Sequence, residues 1–324
     1  MPRLNHLVPT NLADEKAKFF AANFQYNPQF TYERITTRAE LSKYGRPNWW
    51  HLFLAKRILK KHLKEKDLRK QIKEGKIFLN HQQIDHLIKE RLDFYHLGHK
   101  YQIVYSENFI SRIAVNNEEN LIKVRLPIAI DRFEIEAILN HEIDTHVLRQ
   151  FNYENQIWFG KKRKYGFKSY LRTEEGLAAT HELITSDHKL AYKSAANYIA
   201  VDLALKKDFK TVFEFFYKIW QDPERAWTWT LKKKRGLWDT GKRGAFTKDL
   251  VYFEGFIEVL KYLQKSKYNP SELYYGKIDL HDIAKAKKIG INTQIILPKV
   301  FTDDKAAYKR AIIQIAKNNL WKLF

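Results

Sequence analysis

Two histidines and one glutamate near the middle of the chain could do chemistry together. His141 and Glu142 are adjacent, and His146 follows five residues after His141. The 324-residue chain contains no cysteine, so a tightly held transition metal would need histidine, aspartate or glutamate ligands. Imidazole and carboxylate groups on a buried helix face are costly unless a partner satisfies them, and a divalent metal with a bound water is such a partner. The alternative is an accidental pattern on a helix surface.

The spacing of the two histidines predicts a local distortion of the helix. In the zinc-peptidase motif His-Glu-x-x-His the histidines are four residues apart and share one helix face. Here the second histidine is at the fifth position, about 140° around an ideal helix from the first. Binding of one ion by His141 and His146 therefore requires either that the helix ends near His146 or that a π-bulge lies between them.

A third ligand is available downstream, in the segment Thr-Glu-Glu-Gly-Leu-Ala that begins at residue 173. Glu175 resembles the third zinc ligand of thermolysin-like enzymes, a glutamate on a second helix. We expect Thr173 to cap this helix and Glu174 to complement its dipole in the first turn. Gly176 should allow close packing against the helix that carries the histidines. The alternative makes both glutamates ordinary charges at the N-terminus of a helix.

Hydrophobic periodicity predicts an α+β protein that is mostly helical. Apolar residues recur at helical spacing in three N-terminal segments and again from residue 131 to the end. Between them lie runs rich in β-branched residues, and the polar cluster at 116–120 predicts a hairpin turn. We therefore expect a small antiparallel sheet ahead of the helix that carries the histidines. The helical segments are 14–24, 49–63 and 82–96, and the strand segments are 101–105, 112–115 and 121–130.

The organisation of the chain shows no repeat and no flexible linker. We expect a mainly helical N-terminal region, 1–98, packed on a zincin-like catalytic domain, 99–324, with the boundary where the hydrophobic pattern changes near residue 98. No apolar stretch is long enough to span a bilayer, and no signal peptide is visible. The expected location is cytoplasmic.

The charge balance favours an anionic partner. The chain carries 58 Lys and Arg residues against 37 Asp and Glu residues, a formal charge of +21. Such a field attracts nucleic acid, acidic peptides or anionic lipid, although an ordinary solvated surface is the alternative. Trp227, Trp229 and Trp238 lie near one basic cluster and would suit stacking on nucleic-acid bases, but no known nucleic-acid-binding signature accompanies them. The basic residues are densest at 56–61, 161–164 and 232–235.

Three blocks of sequence resemble the microtubule-associated tyrosine carboxypeptidase family. They are His141–Arg149, Arg172–Ala178 and Gly244–Gly255, and they occur in the right order. Pro9–Leu12 and Tyr26–Phe30 also look like the opening segment of that family. Eukaryotic members of the family carry His-Glu-x-x-x-His, and bacterial members have a QEGLA-type motif. The resemblance therefore accounts for the five-residue spacing.

The resemblance implies a zincin-like, gluzincin-type fold and a zinc-dependent carboxypeptidase. It implies one Zn²⁺ per chain, held by His141, His146 and Glu175, with Glu142 as the general base. The implied activity removes a C-terminal residue, with tyrosine or another aromatic residue favoured, from peptides or protein tails, and acidic tails would suit the positive charge. Asp144 departs from the small residue expected there. It would be either a partner for a ligating histidine or a solvent-facing residue.

A carboxypeptidase must also bind the terminal carboxylate of its substrate, which requires arginine or lysine near the pocket. The third block points to Lys248, and Arg243 directly precedes that block. Tyr252 is a candidate donor to the oxyanion, with a core position as the alternative. The rival function is a nucleic-acid- or protein-binding scaffold with a structural zinc and no peptidase activity. The other histidines considered are expected in core or surface positions, with a supporting role conceivable only for the third of them: His51, His86, His181 and His281.

Overall fold

The computed structural model describes residues 5–69, 78–107, 109, 111–128, 130–186 and 188–320. Within that part of the chain the α-helices are, in order, Leu12–Ala21 (α1), Arg38–Ser42 (α2), Trp49–Arg69 (α3), His81–Phe94 (α4), Arg132–His141 (α5), Leu148–Glu154 (α6), Leu171–Ile184 (α7), Tyr192–Ala204 (α8), Phe209–Trp220 (α9), Pro223–Lys234 (α10), Leu250–Lys265 (α11), Ile283–Ile289 (α12), Lys299–Thr302 (α13) and Lys305–Leu320 (α14). The strands are Phe78–Leu79 (β1), Gln102–Ser106 (β2), Ile113–Asn116 (β3), Leu121–Arg125 (β4) and Ile130–Asp131 (β5). The predicted α+β class with mostly helical content is confirmed.

The chain packs as two compact units. One consists of Met1–Leu68 with Tyr192–Phe253, and the other of Arg69–Ala191 with Glu254–Phe324. The chain therefore crosses between units three times. The division predicted at residues 98 and 99 concerned a catalytic domain, and it stays a prediction.

The first unit is built around a cluster of aromatic rings. Phe19 of α1 is fully buried, and its ring centroid lies 5.3 Å from that of Phe209, 4.8 Å from that of Phe213 and 5.1 Å from that of Trp227. Aromatic side chains bury large areas, and the contacts with Phe209 and Phe213 are edge-to-face, which adds to the stabilisation from burial. The N-terminal helix is thereby fixed against α9 and α10, which follow it by about two hundred residues.

The sheet of the second unit is mixed rather than antiparallel. The strand order is β2-β4-β3, in which β3 and β4 form the predicted antiparallel hairpin while β2 runs parallel to β4. The hairpin places β4 between the other two strands, with Ile122 and Val124 buried on one face. Alternation of apolar residues identifies strands, but it does not fix which neighbour a strand takes or its direction. That is why the antiparallel expectation was wrong for β2.

The run predicted as one strand, 121–130, also divides in two. It is β4 followed, after residues 126–129, by β5, which pairs with β1 as a separate antiparallel ribbon. Ile130 is fully buried there and leads directly into α5. Both small sheets therefore precede, in the chain, the helix that carries the histidines, whereas the sequence predicts a single sheet there.

Two glycines allow α7 to approach α11 closely. A Cβ atom on Gly176 would lie 2.2 Å from the carbonyl carbon of Gly255, and one on Gly255 would lie 1.9 Å from the backbone oxygen of Arg172. These separations are far below contact distance, so side chains at either glycine would force the helices apart. The close packing expected at Gly176 exists, but its partner is α11 and not the helix that carries the histidines.

Candidate metal centre

A π-helix lies between the two histidines. His141 is the last residue of α5, and the chain continues as the π-helix Glu142–Val147 before it returns to α-helix at Leu148. A π-turn contains about one residue more than an α-turn, which returns His146 to the face occupied by His141. The two imidazole centroids are 5.1 Å apart. The five-residue spacing left two alternatives, a helix that ends near His146 or a π-bulge, and the structure contains the π-bulge.

The third predicted ligand lies with both histidines. One donor atom from each of His141, His146 and Glu175 falls within 4.8 Å of the others. In this cluster His146 Nε2 lies 3.9 Å from Glu175 Oε2. Glu175 comes from α7, which packs against α5, so two helices far apart in sequence supply the cluster.

Glu142 lies beside this cluster and is held by the sheet. Its Oε2 accepts a hydrogen bond of 2.9 Å from the backbone N–H of Val115 in β3. Its Oε1 lies 3.9 Å from His141 Nε2. The amide of Asn117, just after β3, also donates to the backbone oxygen of His146 at 3.1 Å. The hairpin therefore positions both a candidate ligand and the candidate base.

Glu174 has a role that sequence reasoning missed. It is buried, and its Oε1 lies 3.1 Å from His146 Nδ1 and accepts a hydrogen bond of 2.9 Å from Lys277 Nζ. Arg149 Nε donates to its other oxygen at 3.3 Å. Burial alone would raise the pKa of Glu174, but Lys277, His146 and Arg149 together hold that pKa well below its usual range. A charged carboxylate thus fixes the ring of His146.

Glu182 faces the other histidine, His141, as Glu174 faces His146. Its Oε2 lies 3.3 Å from His141 Nδ1. Burial lowers the pKa of His141, but Glu182, Glu142 and Glu175 outweigh that effect and raise the pKa to about 9. Glu182 follows Glu175 by seven residues, two helical turns along the same face, so helical spacing could have identified it.

Of two expectations for α7, the cap by Thr173 is wrong and the first-turn position of Glu174 is confirmed. The helix begins at Leu171, before Thr173, so Thr173 does not cap it. Its hydroxyl instead donates to Asp279 Oδ2 at 3.1 Å and accepts from the backbone N–H of Leu280. Glu174 lies in the first turn and is buried there, where Lys277 and Arg149 from other segments pair with it.

Asp144 is neither solvent-facing nor paired with a candidate ligand histidine. It is fully buried, and Arg91 of α4 donates to its Oδ1 at 3.0 Å. Arg91 also binds Glu136 at 2.6 Å and Asn140 at 3.2 Å. Burial raises the pKa of Asp144 against the opposing effect of Arg91. A buried ion pair therefore joins Asp144 of the π-helix to Arg91 of α4, 53 residues earlier in the chain.

His181, the histidine given a conceivable supporting role, is fully buried. Its Nδ1 lies 3.1 Å from the hydroxyl of Thr145 in the π-helix, and its Nε2 lies 3.1 Å from the hydroxyl of Tyr308. Burial, with a smaller effect of His141, lowers the pKa of His181 to about 3. A neutral imidazole therefore links the π-helix to α14.

The donor set fits a zinc ion. Two imidazoles and one carboxylate are the protein ligands of one common type of catalytic zinc site. Both histidines direct Nδ1 at a carboxylate, and this arrangement orients Nε2 of a ligating histidine and raises its basicity. His141, His146 and Glu175 would hold the ion. Occupation by zinc stays a prediction.

The three residues predicted to bind substrate lie in the other unit. Arg243 is exposed, Lys248 lies in the 3-10 helix Thr247–Asp249 and is 9% exposed, and Tyr252 is half-buried in α11. Lys248 Nζ lies 6.0 Å from the centre of the Tyr252 ring. Their role toward a substrate stays a prediction.

The aromatic and basic cluster considered for nucleic acid is largely internal. Trp227 is buried in the aromatic core of its unit, while Trp238 is 72% exposed. Lys233 is fully buried and pairs with Asp249, and Lys234 is fully buried and donates to three backbone carbonyls. Trp227, Lys233 and Lys234 therefore cannot stack on bases or contact phosphates.

Comparison with known proteins supplies the family. The sequence model of one family, described as microtubule-associated tyrosine carboxypeptidase, matches residues 37–315. The chain belongs to the microtubule-associated tyrosine carboxypeptidase family. It is 27% identical over 319 residues to microtubule-associated tyrosine carboxypeptidase 1 of Homo sapiens, which covers 97% of this chain and 67% of that protein. The protein of the same name in Rattus norvegicus is also 27% identical over 319 residues, covering 97% and 68%.

Membership of the tyrosine carboxypeptidase family agrees with the position of the cluster, since all four residues of the candidate site lie inside the matched range. The chain contains no helix, among the residues described, that has the length and apolar character to cross a bilayer.

Proposed function

We propose that this protein is a zinc-dependent carboxypeptidase that removes one C-terminal residue, with tyrosine or another aromatic residue favoured. The observation that carries the proposal is the convergence of donor atoms from His141, His146 and Glu175 within 4.8 Å, with Glu142 beside them. The family name, which describes a tyrosine carboxypeptidase, supports the choice of reaction and of terminal residue.

Glu142 would act as the general base. The N–H of Val115 fixes one carboxylate oxygen, so the other keeps a constant direction toward the cluster. In that position it would accept a proton from the attacking water and later deliver it to the leaving amine. Zinc, when bound, supplies polarisation of the scissile carbonyl and a water of lowered pKa.

Recognition of the substrate's end would require a cation and a hydrogen-bond donor. Lys248 and Arg243 are the proposed partners of the terminal carboxylate, because a fixed negative charge requires a cation. Tyr252 is the proposed donor to the oxyanion. The substrates would be peptides or protein tails, including acidic ones, which the formal charge of +21 would attract.

The test is a peptide library with varied C-terminal residues, incubated with the zinc-loaded protein and analysed by mass spectrometry. We expect loss of a single C-terminal residue, fastest for tyrosine and phenylalanine. Cleavage at internal bonds would contradict a carboxypeptidase.

A scaffold with a structural zinc is the second candidate, because the positive charge of the chain would also suit nucleic acid. A zinc-loaded protein that cleaves no peptide and binds oligonucleotides would favour it.

A further inference from the structure

The helix α3 exposes large aromatic side chains at its N-terminal end. Trp49 is 77% exposed and Phe53 is 47% exposed. The ring of Trp50 lies 5.8 Å from the ring of each of them, measured between centroids, so the three rings form one aromatic cluster. Single exposed apolar residues are common on soluble proteins, but a contiguous exposed group marks a binding surface.

Three lysines continue the same face of α3 beyond the aromatic cluster. Lys56, Lys60 and Lys64 follow Trp49 and Phe53 at steps of three or four residues, which keeps all five side chains within about 80° of the helix circumference. The lysines are exposed, and within the described ranges none of them forms an ion pair. We call these five residues the α3 surface. It extends about 22 Å along the helix and combines an aromatic end with uncompensated positive charge.

An apolar groove lies beside the lysines of the α3 surface. It has a volume of about 430 Å³ and lies wholly within the first unit, between α3, α8 and α9. The three lysines line it together with Leu59, Leu63, Ile199 and Phe215. A nucleic acid or a run of acidic residues would pair with the lysines but would leave the apolar lining and the aromatic cluster uncovered. An amphiphile would cover both, because its headgroup is anionic and its chain is apolar.

The surface of an anionic membrane offers the same two features over an extended area. Its headgroups attract lysines, and tryptophan is enriched at the boundary between the headgroups and the hydrocarbon. A helix that lies in the plane of this boundary can use both features along its whole length. Binding of this kind is peripheral and needs no helix that spans the bilayer.

We propose that the α3 surface binds the anionic lipid surface of a membrane. Trp49 and Phe53 would enter the headgroup region, and the three lysines would pair with lipid phosphates and carboxylates. The groove beside the lysines would take the apolar part of a lipid. The surface uses no residue of the metal centre, so the proposal does not depend on the carboxypeptidase function.

The experiment measures sedimentation of the protein with vesicles of phosphatidylcholine alone and with vesicles in which one quarter of the lipid is phosphatidylserine. We expect strong binding only to the mixed vesicles, and weaker binding at high salt. The test variant combines Lys56→Gln, Lys60→Gln and Lys64→Gln. It should lower the partition coefficient roughly a hundredfold, the loss expected for three lysines at an anionic surface. The fold should persist, because all three side chains are exposed.

The matched control removes the same number of positive charges from the other unit. Lys161, Arg163 and Lys164 are exposed and lie between α6 and α7. Their combined substitution by glutamine should lower the partition coefficient far less than the test variant does. Equal losses in the two triple variants would show that only the general field of the protein acts, and would overturn the proposal.

A fluorescence measurement distinguishes a membrane from other polyanions. Brominated phosphatidylcholine in the mixed vesicles quenches only those tryptophan rings that enter the bilayer. Wild type should be quenched, whereas Trp49→Phe should bind the vesicles and lose a large part of the quenching. Trp238→Phe, which changes another exposed ring that is 72% exposed and outside the α3 surface, should be quenched as wild type is.

Two results would contradict membrane binding. Vesicle binding without quenching of wild type, or with the same quenching in Trp49→Phe, would show that the aromatic end of the α3 surface stays outside the bilayer. Absence of vesicle binding, with binding of a DNA oligonucleotide or of polyglutamate that the test variant loses, would assign the lysines to a polyanion without an apolar part.

Discussion

The hydroxyl of Tyr274 donates a hydrogen bond of 2.6 Å to the backbone oxygen of Asp144, in the middle of the π-helix. Both groups are buried. The contact joins the π-helix to the 3-10 helix Ser271–Tyr274. In the same region, Arg149 donates hydrogen bonds to the backbone oxygens of Leu273 and Ile278. The geometry that brings His146 to His141 is therefore supported from a segment about 130 residues later.

The Tyr274→Phe substitution should destabilise the π-helix, because it removes the hydrogen bond to Asp144 while it preserves the packing of the aromatic ring. Loss of one buried hydrogen bond costs about 1–3 kcal/mol when the acceptor is left unpaired. We expect zinc affinity to fall roughly tenfold, measured by competition with a chromogenic chelator. Tyr308→Phe is the control, since the Tyr308 hydroxyl binds His181 and not the π-helix. Equal zinc affinity in wild type and Tyr274→Phe would contradict a role for Tyr274 in holding the turn.

The ligand assignment predicts about one zinc per chain by elemental analysis. Replacement of His141, His146 or Glu175 by alanine should remove the ion, because two remaining ligands bind zinc weakly. Full zinc content in all three variants would refute the assignment.

The Glu142→Gln variant tests whether the protein is a peptidase or a scaffold with a structural zinc. The variant should retain both its bound zinc and its folded structure, because glutamine can still accept the hydrogen bond from the backbone N–H of Val115. Peptidase turnover should fall by roughly 10²-fold or more, which is typical for loss of a positioned base. Turnover equal to that of wild type would remove Glu142 from the mechanism.

Glu182→Gln tests the carboxylate that faces His141. The substitution keeps the size of the side chain and removes the charge 3.3 Å from His141 Nδ1. Loss of such a partner typically weakens metal binding by about 10–100-fold. Glu258→Gln, on α11, supplies a control of the same type outside the cluster. If both variants bind zinc as tightly as wild type does, Glu182 has no orienting role.

His181 predicts a specific loss of stability in acid. Its folded pKa of about 3 lies below the unfolded value, so protonation favours the unfolded chain and stability falls as the pH drops below about 6.5. At pH 5 the loss attributable to this group is about 2 kcal/mol. Relative to wild type, His181→Gln should lose less free energy of unfolding between pH 7 and pH 5, measured by urea denaturation. His281→Gln, at an exposed site, should behave as wild type does.

The sequence alone determined the candidate ligands and the distortion between them. The identities of His141, Glu142 and His146 and their spacing are local properties, and helical geometry limits the five-residue spacing to two alternatives, a helix end or a π-turn. The same holds for the helical class and for the β3–β4 hairpin, since both follow from periodicity and turn composition.

Only the tertiary structure decided what surrounds the ligands. Glu174 can face His146 as a buried carboxylate because Lys277, 103 residues later, pairs with its charge and offsets the cost of burying it. Asp144 is buried with its charge paired, because Arg91 of α4 donates a hydrogen bond to it. Gly176 packs against Gly255 of α11. These pairings join segments far apart in the chain. Burial of a charge is tolerated only where packing brings an opposite charge to it, and no local pattern in the sequence contains that information.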